Sequence, residues 1–178
     1  VNESGNQFTV HGKGAIRFGL AGIKSVGEAA VNEIINSRAK EGPFSSLADF
    51  CNRVSMRLVN KRALEHLIRC GAMDSFGAKR AQLLSIMDRA AEQGAAVQRD
   101  RACGQIGLFD EEDTLAATEI KLPDLAELPK EVILQNEKEL LGFYVTEHPL
   151  SAYEKALQRY MPLYQFVGDT TIKDGQHV

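Results

Sequence analysis

The chain has 178 residues and is 44% apolar, the make-up of a globular domain with appendages, and no apolar run approaches the roughly 20 residues that span a membrane. Its net charge of −3 hides an asymmetry: Lys and Arg outnumber Asp and Glu by 15 to 10 over residues 1–103 and are outnumbered 6 to 14 over residues 104–178. The front is therefore compatible with weak phosphate contact and the rear is not a nucleic-acid surface, while three cysteines without framework spacing exclude a disulfide scaffold and suit a reducing cytosol.

Residues 1–17 read as a lead-in segment. Gln7–Val10 and Ala15–Phe18 flank His11-Gly12-Lys13-Gly14, the pattern of a short β-hairpin. The polar start, Val1-Asn2-Glu3-Ser4, has no initiator methionine and no signal-peptide pattern, as expected of a piece of a longer protein.

Residues 18–93 carry the helical periodicity. Ile23-Lys24-Ser25-Val26-Gly27 forms a turn between a brief apolar run and Glu28–Ile35, where Val31, Ile34 and Ile35 share a face. Gly27 is expected to take the left-handed conformation of the turn. The amides that open the following helix have no internal partner, so Lys24, Ser25, Val26 and Gly27 are candidates to hold an anion. The bland alternative is a helix corner whose glycines serve packing only.

A shift of about 33 residues lays Val26–Ile35 over Val59–Ile68, with apolar positions coinciding. Gly27 falls on Asn60 and Lys24 on Arg57, so Arg57, Asn60, Lys61 and Arg62 form a second candidate anion clasp. Between the copies Gly42-Pro43 stops one helix and Ser46 caps another, which carries Leu47, Phe50, Cys51 and Val54 on one stripe. The helix from Lys61 buries Leu64, Leu67 and Ile68 and ends at Gly71. A further helix runs from Ala78 to about Gln93, with Arg80, Leu84, Met87 and Ala91 on one line.

Residues 94–129 have the composition of an acidic, flexible linker. Within it Gln105-Ile106-Gly107-Leu108-Phe109 stands out, because an adjacent bulky apolar pair in such a setting invites a partner's pocket. Residues 130–161 read as a helical pair: one helix after Pro129 carrying Leu134, Leu140 and Leu141 to Gly142, then a second begun by a Ser151–Glu154 capping box. Residues 162–178 lose the helical period. Three other sites weigh less. His66 and Cys70 have zinc-compatible spacing but no second pair, Asp110–Asp113 is an acidic run of the kind usually just solvated, and Lys24 lacks the loop of a Schiff-base glycosylase.

The hairpin pair, the linker island and Glu137-Lys138-Glu139-Leu140-Leu141-Gly142-Phe143-Tyr144-Val145-Thr146-Glu147-His148-Pro149-Leu150 together resemble the bacterial replicative DNA polymerase III alpha-subunit family. The first hairpin is similar at Ile16–Leu20 and Ile23–Ala30, the second at Asn60–Arg62 and Leu67–Asp74. One departure is Ser25, where the family usually has glycine. The resemblance implies a mostly α fold: a tandem helix-hairpin-helix module with a small N-terminal β-hairpin, a flexible linker, a short C-terminal helical pair, and residues 162–178 leading to an OB-type domain. It implies that Lys24, Ser25, Val26, Gly27, Arg57, Asn60, Lys61 and Arg62 contact duplex DNA without reading sequence. Gln105, Ile106, Gly107, Leu108 and Phe109 resemble the family's internal sliding-clamp motif. No residues match the polymerase carboxylates that hold two magnesium ions in the palm, so no catalytic residue, metal or cofactor is expected in this chain. Duplex DNA, a sliding clamp and other replicase subunits are the implied partners, in a bacterial cytoplasm at the nucleoid and away from membranes. The competing classes are a helix-hairpin-helix repair glycosylase and a protein-binding helical module.

Overall fold

Two short strands, β1 (Thr9–His11) and β2 (Ala15–Arg17), open the computed structural model and pair antiparallel with Val10 opposite Ile16. The residues described are 1–12, 14–102 and 120–154. An isolated ribbon of this size is marginal in water. Aromatic edges hold it: Phe8 meets Phe18 at 4.6 Å between centroids, and Phe18 meets Phe143 at 5.2 Å. Val10 and Ile16 remain exposed.

The helices follow: α1 (Glu28–Glu41), α2 (Leu47–Arg53), α3 (Lys61–Arg69), α4 (Arg80–Ala102) and α5 (Lys130–Leu141). Short 3-10 turns lie at Leu20–Gly22, Asp74–Phe76 and Pro149–Tyr153. The fold is mostly helical with a small N-terminal β-hairpin, as the sequence leads one to expect. No described helix is long and apolar enough to cross a membrane.

Local signals act where expected. The stripe of α2, Leu47, Phe50, Cys51 and Val54, is buried, as are Leu64, Leu67 and Ile68 of α3. Burial contributes about 1.5–3 kcal/mol for each large apolar side chain. Ser46 caps α2 by accepting from the Asp49 amide at 3.1 Å. The Arg53 guanidinium closes α1 from outside, donating to Gly42 O at 2.7 Å and Ser37 O at 3.2 Å while lying 4.3 Å over the Phe44 ring.

α4 departs from expectation in length, and its buried face is wider than the expected line. It continues past Gln93 to Ala102, and Gly94, expected to open the linker, sits inside it. A Cβ on Gly94 would come within 2.3 Å of Cys51 O, so this glycine marks the close approach of α2. One turn later Gln98 Nε2 donates to Cys51 O at 3.0 Å and Val54 O at 2.6 Å, capping α2. Of the expected line Arg80 and Met87 are buried and Leu84 and Ala91 half-buried, and Leu83, Ile86 and Ala90 complete the buried face of α4.

The ends of the described chain also fold back. Val1 is buried, Asn2 exchanges two hydrogen bonds with the Phe44 backbone, and Arg38 donates to Val1 O and Ser4 O. Of these first residues Val1 joins the core, and Asn2 to Asn6 are half-buried or exposed. Ile120 is buried, and the Glu127 carboxylate accepts from the amides of Arg80 and Ala81 at 3.0 and 3.1 Å, capping α4 from the segment expected to be linker. The last 3-10 turn begins before Ser151, at Pro149, with His148 as its N-cap, whose Nδ1 accepts from the Leu150 amide at 3.2 Å.

One polar cluster joins these pieces. Arg80, 8% exposed, forks onto Asp74 with Nη2–Oδ2 at 2.7 Å and Nε–Oδ1 at 3.0 Å, and reaches Arg69 O and Glu137 Oε1, each at 3.2 Å. Glu137 is fully buried and also accepts from the amides of Val145 and Thr146 at 2.8 and 2.9 Å and from the Thr146 hydroxyl. Burial alone would raise its pKa; the Thr146 and Val145 donors and Arg80 outweigh that and hold it lowered.

Replacing Arg80 with Met leaves Glu137 buried without its cation, which should cost about 3–5 kcal/mol, read as a lower urea midpoint. Because the folded pKa of Glu137 is depressed, its contribution is complete above about pH 4.3, the unfolded carboxylate value, and is lost as pH falls through the lower native value. Urea titrations between neutral and acid pH should show that loss in the parent and a shallower acid dependence in Glu137→Gln. Equal acid dependence in both would remove Glu137 from the account.

Candidate nucleic-acid interface

The first hairpin turn is closed by the Val26 amide donating to Ile23 O at 3.1 Å. Its left-handed residue is Ser25, at φ 65°, rather than Gly27. Gly27 has φ −74° and ψ 159° and is the N-cap of α1. Asn60 takes nearly the same conformation, φ −67° and ψ 167°, as the N-cap of α3. The 33-residue correspondence therefore holds, but it matches two helix caps and not two left-handed turns. Val26 and Val59, the residues before the caps, are both buried.

The two helix starts differ in what they leave open. No side chain caps α1, and Gly27, Glu28 and Ala29 are exposed. Amides in that setting are free for water or an anion, although the Glu28 carboxylate competes for the same helix end. The start of α3 is already served, since Asn60 Oδ1 accepts from the Ala63 amide at 2.9 Å.

The cations divide the other way. Lys24 is engaged three times: its ammonium meets Glu139 Oε1 at 3.1 Å, its amide donates to Leu140 O at 3.0 Å, and His66 Nδ1 donates to its carbonyl at 2.6 Å. Lys61 is paired with Asp88 at 2.8 Å, which raises its pKa, chiefly through that hydrogen bond. Arg57 and Arg62 are exposed and form no ion pair among the described residues. The first hairpin thus presents amides and the second presents charge.

His66 and Cys70, the pair with zinc-compatible spacing, have other partners. His66 braces the first turn, and Cys70 Sγ points to Leu67 O at 3.5 Å. Burial pushes the thiols of Cys70 and Cys51 up, to about 11 and about 12, which disfavours the thiolate a metal needs. Among the described residues no group of three or more His, Cys, Asp or Glu side chains could hold a metal ion. Two grooves of about 640 and 590 Å³ lie between α2 and residues 120–122 and beside α5. Neither is lined by the starts of α1 and α3, which sit on open surface. Gln105, Ile106, Gly107, Leu108 and Phe109 lie outside the described residues, as does Asp110–Asp113.

Sequence inspection missed several residues that shape this surface. Glu33 of α1 accepts from the Ser55 amide at 3.0 Å and so fixes the approach to the second turn. Glu139 and the carbonyl of Leu140 reach the first turn from over a hundred residues away. Local periodicity holds no signal for contacts of that range.

A family model described as a helix-hairpin-helix motif matches residues 1–83. The chain is also similar to proteins called DNA polymerase III subunit alpha. It is 45% identical over 157 residues to that of Bacillus subtilis (strain 168), covering 88% of this chain and 14% of the relative. Against that of Thermus aquaticus the identity is 41% over 153 residues, covering 86% and 12%. Against that of Vibrio cholerae it is 37% over 161 residues, covering 90% and 14%. The chain spans about one seventh of the length of these relatives.

A left-handed conformation costs an L-residue about 1–2 kcal/mol. Ser25→Gly is therefore expected to stabilise the fold by about 0.5–1 kcal/mol once the greater unfolded-state freedom of glycine is subtracted. Thermal midpoints of the parent and the variant decide; a midpoint that falls puts the strain elsewhere.

Proposed function

The chain belongs to the DNA polymerase III alpha-subunit family, and from that premise we propose that it grips duplex DNA by its sugar-phosphate backbone and tethers the polymerase to a sliding clamp. The observation that carries the first half is the exposed, uncapped start of α1, together with Arg57 and Arg62 at the second hairpin. Backbone amides and arginines aimed at phosphate oxygens position a protein on DNA without reading base order. Lys24, Ser25, Gly27, Asn60 and Lys61 complete the proposed contact set. Val26 is buried and holds the turn from inside.

The second half rests on Gln105-Ile106-Gly107-Leu108-Phe109, where Leu108 and Phe109 fill an apolar pocket of the clamp and Gln105 orients them. Each contact alone is weak; linking them makes the DNA contact effectively intramolecular. The role needs no cofactor from this chain, and the family's magnesium chemistry belongs to its palm. Such a role operates with other replicase subunits in the bacterial cytoplasm, at the nucleoid. A glycosylase reading has less support. The Lys24 amine is half-exposed and ion-paired, without the desolvation that makes a lysine nucleophilic.

Substituting Arg57 and Arg62 together by alanine should weaken duplex binding evenly across sequences and flatten the salt dependence by about one to two units. A loss confined to particular sequences contradicts backbone contact, and a parent with no duplex affinity even at low salt leaves the protein-binding module instead. Leu108→Ala with Phe109→Ala should abolish clamp binding, at roughly 2 kcal/mol or more for each anchor, and spare duplex affinity. Titrations with DNA and with clamp, separately and at two salt concentrations, measure both; undiminished clamp affinity moves that function to another segment.

A further inference from the structure

We infer that Glu139 is an internal counter-ion for Lys24, holding the first hairpin's cation until a duplex phosphate takes its place. This rests on the phosphate-contact role proposed above. The last turn of α5 meets Lys24 at two points of different character. The Leu140 carbonyl receives the Lys24 amide at 3.0 Å and fixes where the residue sits. The Glu139 carboxylate receives the ammonium at 3.1 Å, with the two side chains 51% and 59% exposed.

An ion pair that open adds little to stability, because water screens it and two flexible side chains lose freedom to form it. It is correspondingly easy to exchange. A phosphate arriving at Lys24 replaces one anionic oxygen by another without dehydrating a core. The backbone contact from Leu140 can stay, so the turn keeps its shape while the side chain changes partner.

The other groups facing Glu139 leave Lys24 as its partner. His66 has its Nδ1 on the Lys24 carbonyl, and Arg69 is held by Glu65 at 2.7 Å. The hydrogen bond from Lys24 and its charge hold the Glu139 carboxyl below its usual range, with His66 and Arg69 adding smaller effects, so it is a full negative charge at neutral pH. An approaching phosphate therefore meets a neutralised lysine and a carboxylate beside it. The hairpin binds more weakly than its cations would allow, and it releases one fewer counterion than they would otherwise release.

Glu139→Gln removes the charge and keeps the shape. Its duplex affinity at low salt should rise roughly two- to fivefold, the size of an exposed ion pair, and its salt dependence should steepen by about one unit. Three comparisons make this specific. Glu131→Gln, a neutralisation at the far end of the same helix, should leave affinity unchanged within error. Glu139→Gln combined with Lys24→Ala should lose the gain. Glu139→Ala should reproduce it if a carboxylate, and not a side-chain hydrogen bond, is what matters. An affinity unchanged in Glu139→Gln while the Arg57 and Arg62 double variant weakens binding overturns this inference alone. So does an equal gain in Glu131→Gln, which marks a diffuse charge effect. A parent and a Glu139→Gln variant that both fail to bind duplex overturn this inference and the phosphate-contact role together.

Discussion

The arrangement depends on one buried ion pair, Arg80 with Glu137. A carboxylate with no solvent exposure is costly unless every lone pair is met, and Glu137 meets this with a guanidinium, two amides and a hydroxyl. Those donors come from the start of α4 and from the bend after α5. Arg80 in turn closes the carbonyl end of α3 and forks onto Asp74. Three separate pieces of chain must arrive together for either charge to be tolerated. An apolar pair of equal volume could hold them more strongly, but it would accept many more relative positions.

That constraint sets what the hairpins can present. With Glu137 seated, the next residues of α5 fall against the first turn, so Glu139 and Leu140 O reach Lys24. The acidic rear of the chain is in this way folded onto the basic front. The two hairpins, alike in sequence and in cap conformation, become unlike in surface: one offers amides beside an occupied lysine, the other offers arginines beside a capped helix start. A symmetrical pair of clasps, which the repeat suggests, is replaced by a division of labour.

How much of this was legible follows from the range of each interaction. Stripes such as Leu47, Phe50, Cys51 and Val54, and caps such as Ser46, depend on residues three or four apart, and the sequence displays them directly. Gly94 misled because a glycine in a helix has two meanings, a stop or a close approach, and only the position of Cys51 O distinguishes them. Gly27 misled in the same way: the flexible residue was visible, but Ser25 carries the positive φ. Glu137 and Glu139 are two residues apart on one helix and look equally suited to solvent. Their opposite fates, one sealed and one on the surface, are decided by partners 57 and 115 positions away.

The same geometry argues for a module that is weak by construction. The open amides of α1 lie next to Glu28, Lys24 is neutralised, Lys61 is paired with Asp88, and few free cations remain near the helix starts. Phosphate affinity grows with the number of charges neutralised, so the proposed duplex contact is a loose one, released in moderate salt. Under the proposed role, tight sequence-blind grip would be a brake on movement along DNA. Loose contacts raised to a high effective concentration by a separate tether provide retention without arrest. On that view the acidic side chains around the hairpins do not weaken the design; they set the strength of a contact that works only in company.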